Sequence, residues 1–341
     1  MPQAALDAIM NEMPNYSFEF TKTFANHAPM VLVALDRIGG SEARLRDFFG
    51  HYRDYKELLT MPAGVGPVDA TNWKAALGER DREADLNAFF KAEVERLGAD
   101  AAISHYLPAL ADGVGASAFH ALMRLAYGLI RKNDTEIALA LAYWTATYLA
   151  LPKPGVTKSI TKDPAVVLGK VAAIGSLRGL PMHDLLWLNM AESGRCADFA
   201  PVVDWLDIDD STLERMASAA IVLFAATMDF CALHAVTGIH WMRVVLPYLD
   251  QPEPMMRAFW QCIAALMGEM QFPTLPAPAT VETWRALPVP DWEAIKAAAA
   301  QSYDEHDISL VFSASEEMKV YGDPLYQLAA ARRVGLVASY T

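Results

Sequence analysis

Apolar positions recur along this chain at helical spacing almost from end to end. Between residues 41 and 59, Leu45, Phe48, Phe49, Tyr52, Tyr55 and Leu59 form one stripe, with Ser41 placed to cap the helix start. Residues 80–97 set Leu86, Phe89, Phe90, Val94 and Leu97 against a charged opposite face. The same periodicity predicts helices over 116–131, 135–150, 164–175 and 210–235. Strand-like alternation is nearly absent. Its best example, Ser309–Ser315, follows a Ser302-x-x-Glu305 capping box and precedes Gly322 and Pro324, so it too reads as helix. Loops are expected at 59–72, 151–163 and 272–290. The last holds Pro273, Pro276, Pro278, Pro288 and Pro290 and should run extended. With no internal repeat or low-complexity tract, the pattern predicts a single all-α, multi-helix globular domain over residues 1–341.

Composition adds exclusions. The 53% apolar content suits a large packed core. A net charge of −13 and a pI near 5.0 argue against nucleic acid and anionic membrane surfaces as partners. The most apolar run, around 216–228, is shorter than the roughly 20 residues a membrane span needs. The first residues lack the basic and apolar regions of a secretory signal, so a cytoplasmic location is expected. Cys196, Cys231 and Cys262 show no metal or disulfide spacing. The sequence does not specify an oligomeric state.

Several motif matches carry little. Gly113–Ala118 (GVGASA) is formally a dinucleotide fingerprint, but no strand precedes it and no βαβ unit follows. Its small residues are better read as letting a helix approach a neighbour closely. Ser159-x-x-Lys162 lies in a loop without supporting motifs. No zincin, P-loop, nucleophile-elbow or di-iron signature occurs.

Four histidines stand out by their setting. Asn26 is placed to cap a helix that puts His27 at its first position and Pro29 in its first turn. His306 follows the Ser302 box. Helix N-termini disfavour imidazolium and so favour the neutral, ligating form. His120 sits within a helix with Arg124 and Tyr127 on its face. His234 is expected at the end of the most apolar helix, broken by Gly238 and followed by His240. The residues alone leave two readings open: four separately satisfied structural histidines, or one shared site.

These motifs resemble the questin oxidase-like family. The resemblance rests on Asn26, His27, Pro29, Met30, Ala34 and Leu35; on Gly115, His120 and Arg124; on His234, Val236 and Thr237; and on Asp304, Glu305, His306, Ile308, Gly322, Asp323 and Pro324. It implies an all-α fold and oxidoreductase chemistry, a monooxygenase or dioxygenase acting with O2 on an anthraquinone- or polyketide-like aromatic substrate. It further implies non-haem iron held by His27, His120, His234 and His306. In some relatives a carboxylated lysine completes the iron site. Where many relatives carry a lysine in the last motif, this chain has Ser309, and where the first often carries glutamate it has Val33. Water, an anion or an acidic side chain is expected beside Ser309. Arg124 is expected to orient an anionic substrate, with Tyr127, His240 and Trp241 as pocket walls. An NADPH reductant would need a binding mode that no motif announces. The alternative is a binding protein that keeps fold and pocket without metal. A hydrolase is a third reading, weakened by the lack of an evident carboxylate base near the motifs.

Overall fold

A computed structural model describes residues 2–155 and 158–340. Residues 156 and 157 of the expected 151–163 loop lie outside the described residues. The chain is 64% helical, and its only sheet among the described residues is a two-stranded antiparallel hairpin, Glu19–Phe20 with Phe24–Ala25. One connected hydrophobic cluster runs from Leu6 to Ala331, which makes the chain a single helical domain. Among the described residues no helix is long and apolar enough to cross a membrane.

Most expected helices form, with informative shifts. Ser41 caps Glu42–Lys56 through a hydrogen bond from the Arg44 amide, and Leu45, Phe48, Phe49 and Tyr52 are buried. Tyr55, inside the helix, is exposed, and so is Leu59, which lies beyond the left-handed Glu57 that ends the helix. The long helix expected over 210–235 is two, Thr212–Thr227 and Phe230–Val245. Met228 is left-handed, and Asp229 starts the second helix by accepting the Cys231 amide. His234 therefore lies near the start of a helix, not at the end of one. Gly238 does not break it: its bare Cα leaves room for the Phe259 ring, which a Cβ would meet at 2.6 Å. The expected extended 272–290 segment contains a helix, Pro278–Arg285, with proline in its first turn where no amide donor is needed.

Glu305–Tyr321 is a buried helix that includes the strand-like Ser309–Ser315 stretch. Its cap is Asp304, which accepts the His306 amide. Ser302 instead donates to Asp307 and accepts the Asp304 amide. The helix packs on Phe230–Val245, on Ala28–Arg37 and on Leu325–Arg333. His120–Arg131 packs on Phe230–Val245 from another side. Four helices thus bring their N-terminal ends toward one region, and each brings one of the four histidines.

Candidate metal centre

Ser117, Ala118 and Phe119 are consecutive left-handed residues, and they delay the expected 116–131 helix until His120. That conformation costs about 1–2 kcal/mol per non-glycine residue. Its effect here is to fold the Ser117 carbonyl back onto Nδ1 of His120. The preceding glycines hold the loop close to its neighbours. A Cβ on Gly113 would enter the Tyr148 ring, and one on Gly115 would meet Cys262 Sγ at 3.0 Å and the Leu149 carbonyl at 3.1 Å.

The other three histidines are oriented in the same manner. His27 Nδ1 lies 2.8 Å from the Ala25 carbonyl, and His234 Nδ1 lies 2.8 Å from the Phe230 carbonyl one turn earlier. His306 Nδ1 lies 3.1 Å from Asp304 Oδ1. Burial raises the Asp304 carboxyl, but its bonds to His306 and the charge of Arg333 outweigh that and hold it below the ordinary carboxylate range. Carbonyl and carboxylate oxygens only accept. All four Nδ1 atoms must therefore carry a proton, and in His27, His120 and His234, which burial keeps neutral, the lone pair is left on Nε2.

The four rings lie close together. Ring centroids are 4.3 Å apart for His27–His120, 5.1 Å for His27–His306, 5.9 Å for His120–His234 and 5.8 Å for His234–His306. The Nε2 atoms of His27 and His120 are 2.7 Å apart. Two acceptors at that distance repel unless a positive centre lies between them. A shared proton would serve, but burial first, then repulsion from neighbouring imidazoles, pushes His27, His120 and His234 well below the ordinary histidine range. Nitrogens bound to one ion at roughly 2.1 Å sit about 3.0–3.4 Å apart, so the pair is a few tenths of an ångström from ligand spacing. Imidazoles whose Nδ1–H groups are anchored in this way are donors suited to a divalent transition metal.

A pocket of about 180 Å3 opens beside the cluster. Its walls include all four histidines, with Phe20 and Phe24 from the hairpin, Trp187 and Phe230. Phe20 and Phe24 stack at 5.9 Å, and Phe230 meets His234 and His306 edge-on at 4.7 Å each. Lys56 and Glu305 also line it and pair at 3.0 Å. Two carboxylates thus line the pocket, Glu305, already engaged with Lys56, and Asp184.

The remaining site expectations fall elsewhere. Arg124 does not line the pocket. It is 2% exposed, bound through two nitrogens to the buried Glu136 and set over the Phe18 ring, so it is closed to a substrate. Tyr127 lies two turns below His120, its hydroxyl 3.4 Å from Ser309 Oγ, and burial pushes it up to about 12. The protein group beside Ser309 is this phenol. His240 bonds Glu317 at 2.8 Å, and Arg243 completes that buried group at 2.6 Å. Neither Tyr127, His240 nor Trp241 is among the pocket walls.

Sequence reasoning missed Lys56, Glu305, Trp187, Phe230 and the two hairpin phenylalanines. Glu305 stood inside a quoted motif, and Phe230 precedes His234 by one turn. Two-residue strands leave no periodic trace, so Phe20 and Phe24 had no signal.

The family model for questin oxidase-like proteins matches residues 24–313, which spans all four histidines. The chain belongs to the questin oxidase-like family. Membership points to oxidase or oxygenase chemistry. No curated protein matches the chain.

Proposed function

We propose that this family member is an oxygenase that uses non-haem iron, held by His27, His120, His234 and His306, to oxidise an aromatic substrate with O2. The observation that supports the reading most is the facing pair of Nε2 lone pairs at 2.7 Å, both fixed as acceptors by their anchored Nδ1–H groups. Such a pair is costly without a cation. Imidazole donors suit several divalent metals, and the family's oxidative chemistry selects iron among them.

Bound iron would supply the electrons and Lewis acidity that O2 chemistry on an aromatic ring requires. The chain's own residues prepare the site. The Ala25, Ser117 and Phe230 carbonyls and the Asp304 carboxylate hold each proton on Nδ1 and keep each Nε2 free. Burial keeps the rings of His27, His120 and His234 neutral. Phe20, Phe24, Trp187 and Phe230 offer ring faces and edges to a planar substrate and displace water from the cluster. The pocket volume lies below the roughly 300 Å3 at which drug-sized sites begin. A one- or two-ring portion therefore sits inside, and any third ring of an anthraquinone-like molecule extends through the mouth.

The test is anaerobic loading of tag-free protein with Fe(II), followed by O2 and a panel of hydroxylated naphthalenes and anthraquinones. Substrate-dependent O2 consumption in the iron-loaded protein, absent from the His27→Gln variant, is the expected result. Ligand binding without any metal uptake would favour the non-catalytic binder instead.

A further inference from the structure

We infer that Lys56 is the anion anchor of this pocket and makes it select aromatic compounds bearing a carboxylate or phenolate oxygen, a specificity that rests on the oxygenase reading for its reaction but not for its geometry. Lys56 is the one cationic side chain among the residues that line the pocket. Arg124, the cation that sequence alone favoured, is sealed against Glu136.

The setting of Lys56 suits the task. It lies in the last turn of Glu42–Lys56, a quarter of its side chain exposed, on a wall shared by the pocket and an adjoining cavity lined by His51, Tyr52, Tyr55 and Tyr303. Its ammonium has three N–H donors. One partner is in place, Glu305 Oε1 at 3.0 Å. The other close groups are the faces of Phe20, Tyr52 and Tyr55, each with its centroid 5.8–5.9 Å away. Rings stabilise the charge weakly and take up no strong hydrogen bond. Donors thus remain for an oxygen entering the pocket. Among the described residues a second donor lacks a partner: the buried Nε1 of Trp187, on another wall of the same pocket. A planar acid would rest its ring on Phe24 and Phe230 with its anionic oxygen at Lys56. The Glu305 charge keeps an unbound Lys56 close to the pocket and offsets its burial.

Calorimetric titration of the full chain with 2-naphthoate and its neutral isostere 2-naphthamide tests this, on protein as purified and after chelator treatment. The chelated sample separates Lys56 from any metal contribution. The chelated wild type is expected to prefer 2-naphthoate by about tenfold at low salt, with the preference shrinking as salt rises. Lys56→Arg should keep the preference. Lys56→Met should reduce it to within about twofold. Because Lys56→Met leaves Glu305 unpaired and can unfold the chain, the Lys56→Met, Glu305→Gln double variant, which removes both charges, is titrated beside it and should also lose the preference. A preference that survives in a folded Lys56→Met or double variant overturns the proposal, as does a wild type that binds neither probe or both equally. Fe(II) titration of the same samples keeps the two ideas apart. An acid preference without iron uptake sinks the oxygenase and leaves the anchor, while iron uptake without the preference does the reverse.

Discussion

Two buried polar regions lie along the same helices and solve burial in opposite ways. In the deeper one, every strong charge meets its complement inside the protein. Arg124 meets Glu136 through two nitrogens, and Glu317 takes both His240 and Arg243. In the other, at the helix starts, four imidazoles spend their Nδ1–H donors outward, and the Nε2 atoms of His27 and His120 face each other at 2.7 Å. The first region matches its charges internally, although His240 Nε2 and Glu317 Oε2 are left without hydrogen-bond partners among the described residues. The second leaves two nitrogens facing each other that a cation would satisfy. A buried polar group is therefore informative about function through the direction of its unspent valence, more than through its burial.

The sharpest way to break this contrast is to damage the closed region and watch the open one. Arg124→Met strands the Glu136 charge, and unfolding by denaturant should show a loss of roughly 3–5 kcal/mol. Metal affinity of the folded fraction should stay within about threefold of wild type. A large fall in affinity without a stability loss would mean that Arg124 serves the site directly.

Acid should distinguish the two regions as well. His27, His120 and His234 have folded pKa values depressed below their unfolded values near 6.5. In the unfolded chain these groups take up protons below about pH 6.5, while in the fold they stay neutral. Their contribution to stability is thus fully present above pH 6.5 and is lost as pH falls below it toward the depressed values. Each contributes up to about 1.4 kcal/mol per pH unit in that window, so the metal-free protein should lose up to about 4 kcal/mol per unit. Denaturant melts from pH 7.5 to 5 measure this, and His27→Gln should flatten the slope. A slope unchanged by His27→Gln would place the titration elsewhere.

A smaller effect is expected at the histidine whose anchor is charged. Asp304→Asn keeps an oxygen acceptor for His306 Nδ1 and for the helix cap but removes the negative charge. Metal affinity should weaken about tenfold, the lower end for outer-shell carboxylates. No change would mean that orientation alone matters at His306.

The helical stripes announced most of the fold, because burial of one face per helix is a local property of the sequence. What they could not announce were the breaks. Met228 and the 117–119 turn adopt left-handed backbone with ordinary side chains, and tertiary packing imposes it. These two breaks set the approach of His120 and His234. The four histidines were legible as a family pattern, and their meeting point was a matter of three-dimensional packing. Arg124 misled because a cation one turn from a histidine looks the same in sequence whether it faces a pocket or a buried glutamate. Lys56 carried no signal, because its partner Glu305 lies 249 residues away in the sequence.

The central claim is that four anchored imidazoles await one divalent cation. It is tested most directly by anaerobic Fe(II) titration of the tag-free full chain, beside single His→Gln variants at 27, 120, 234 and 306. The account predicts one iron per chain in the wild type and at least about a hundredfold loss of affinity in each variant. No uptake by the wild type, or uptake that all four variants retain, would contradict it.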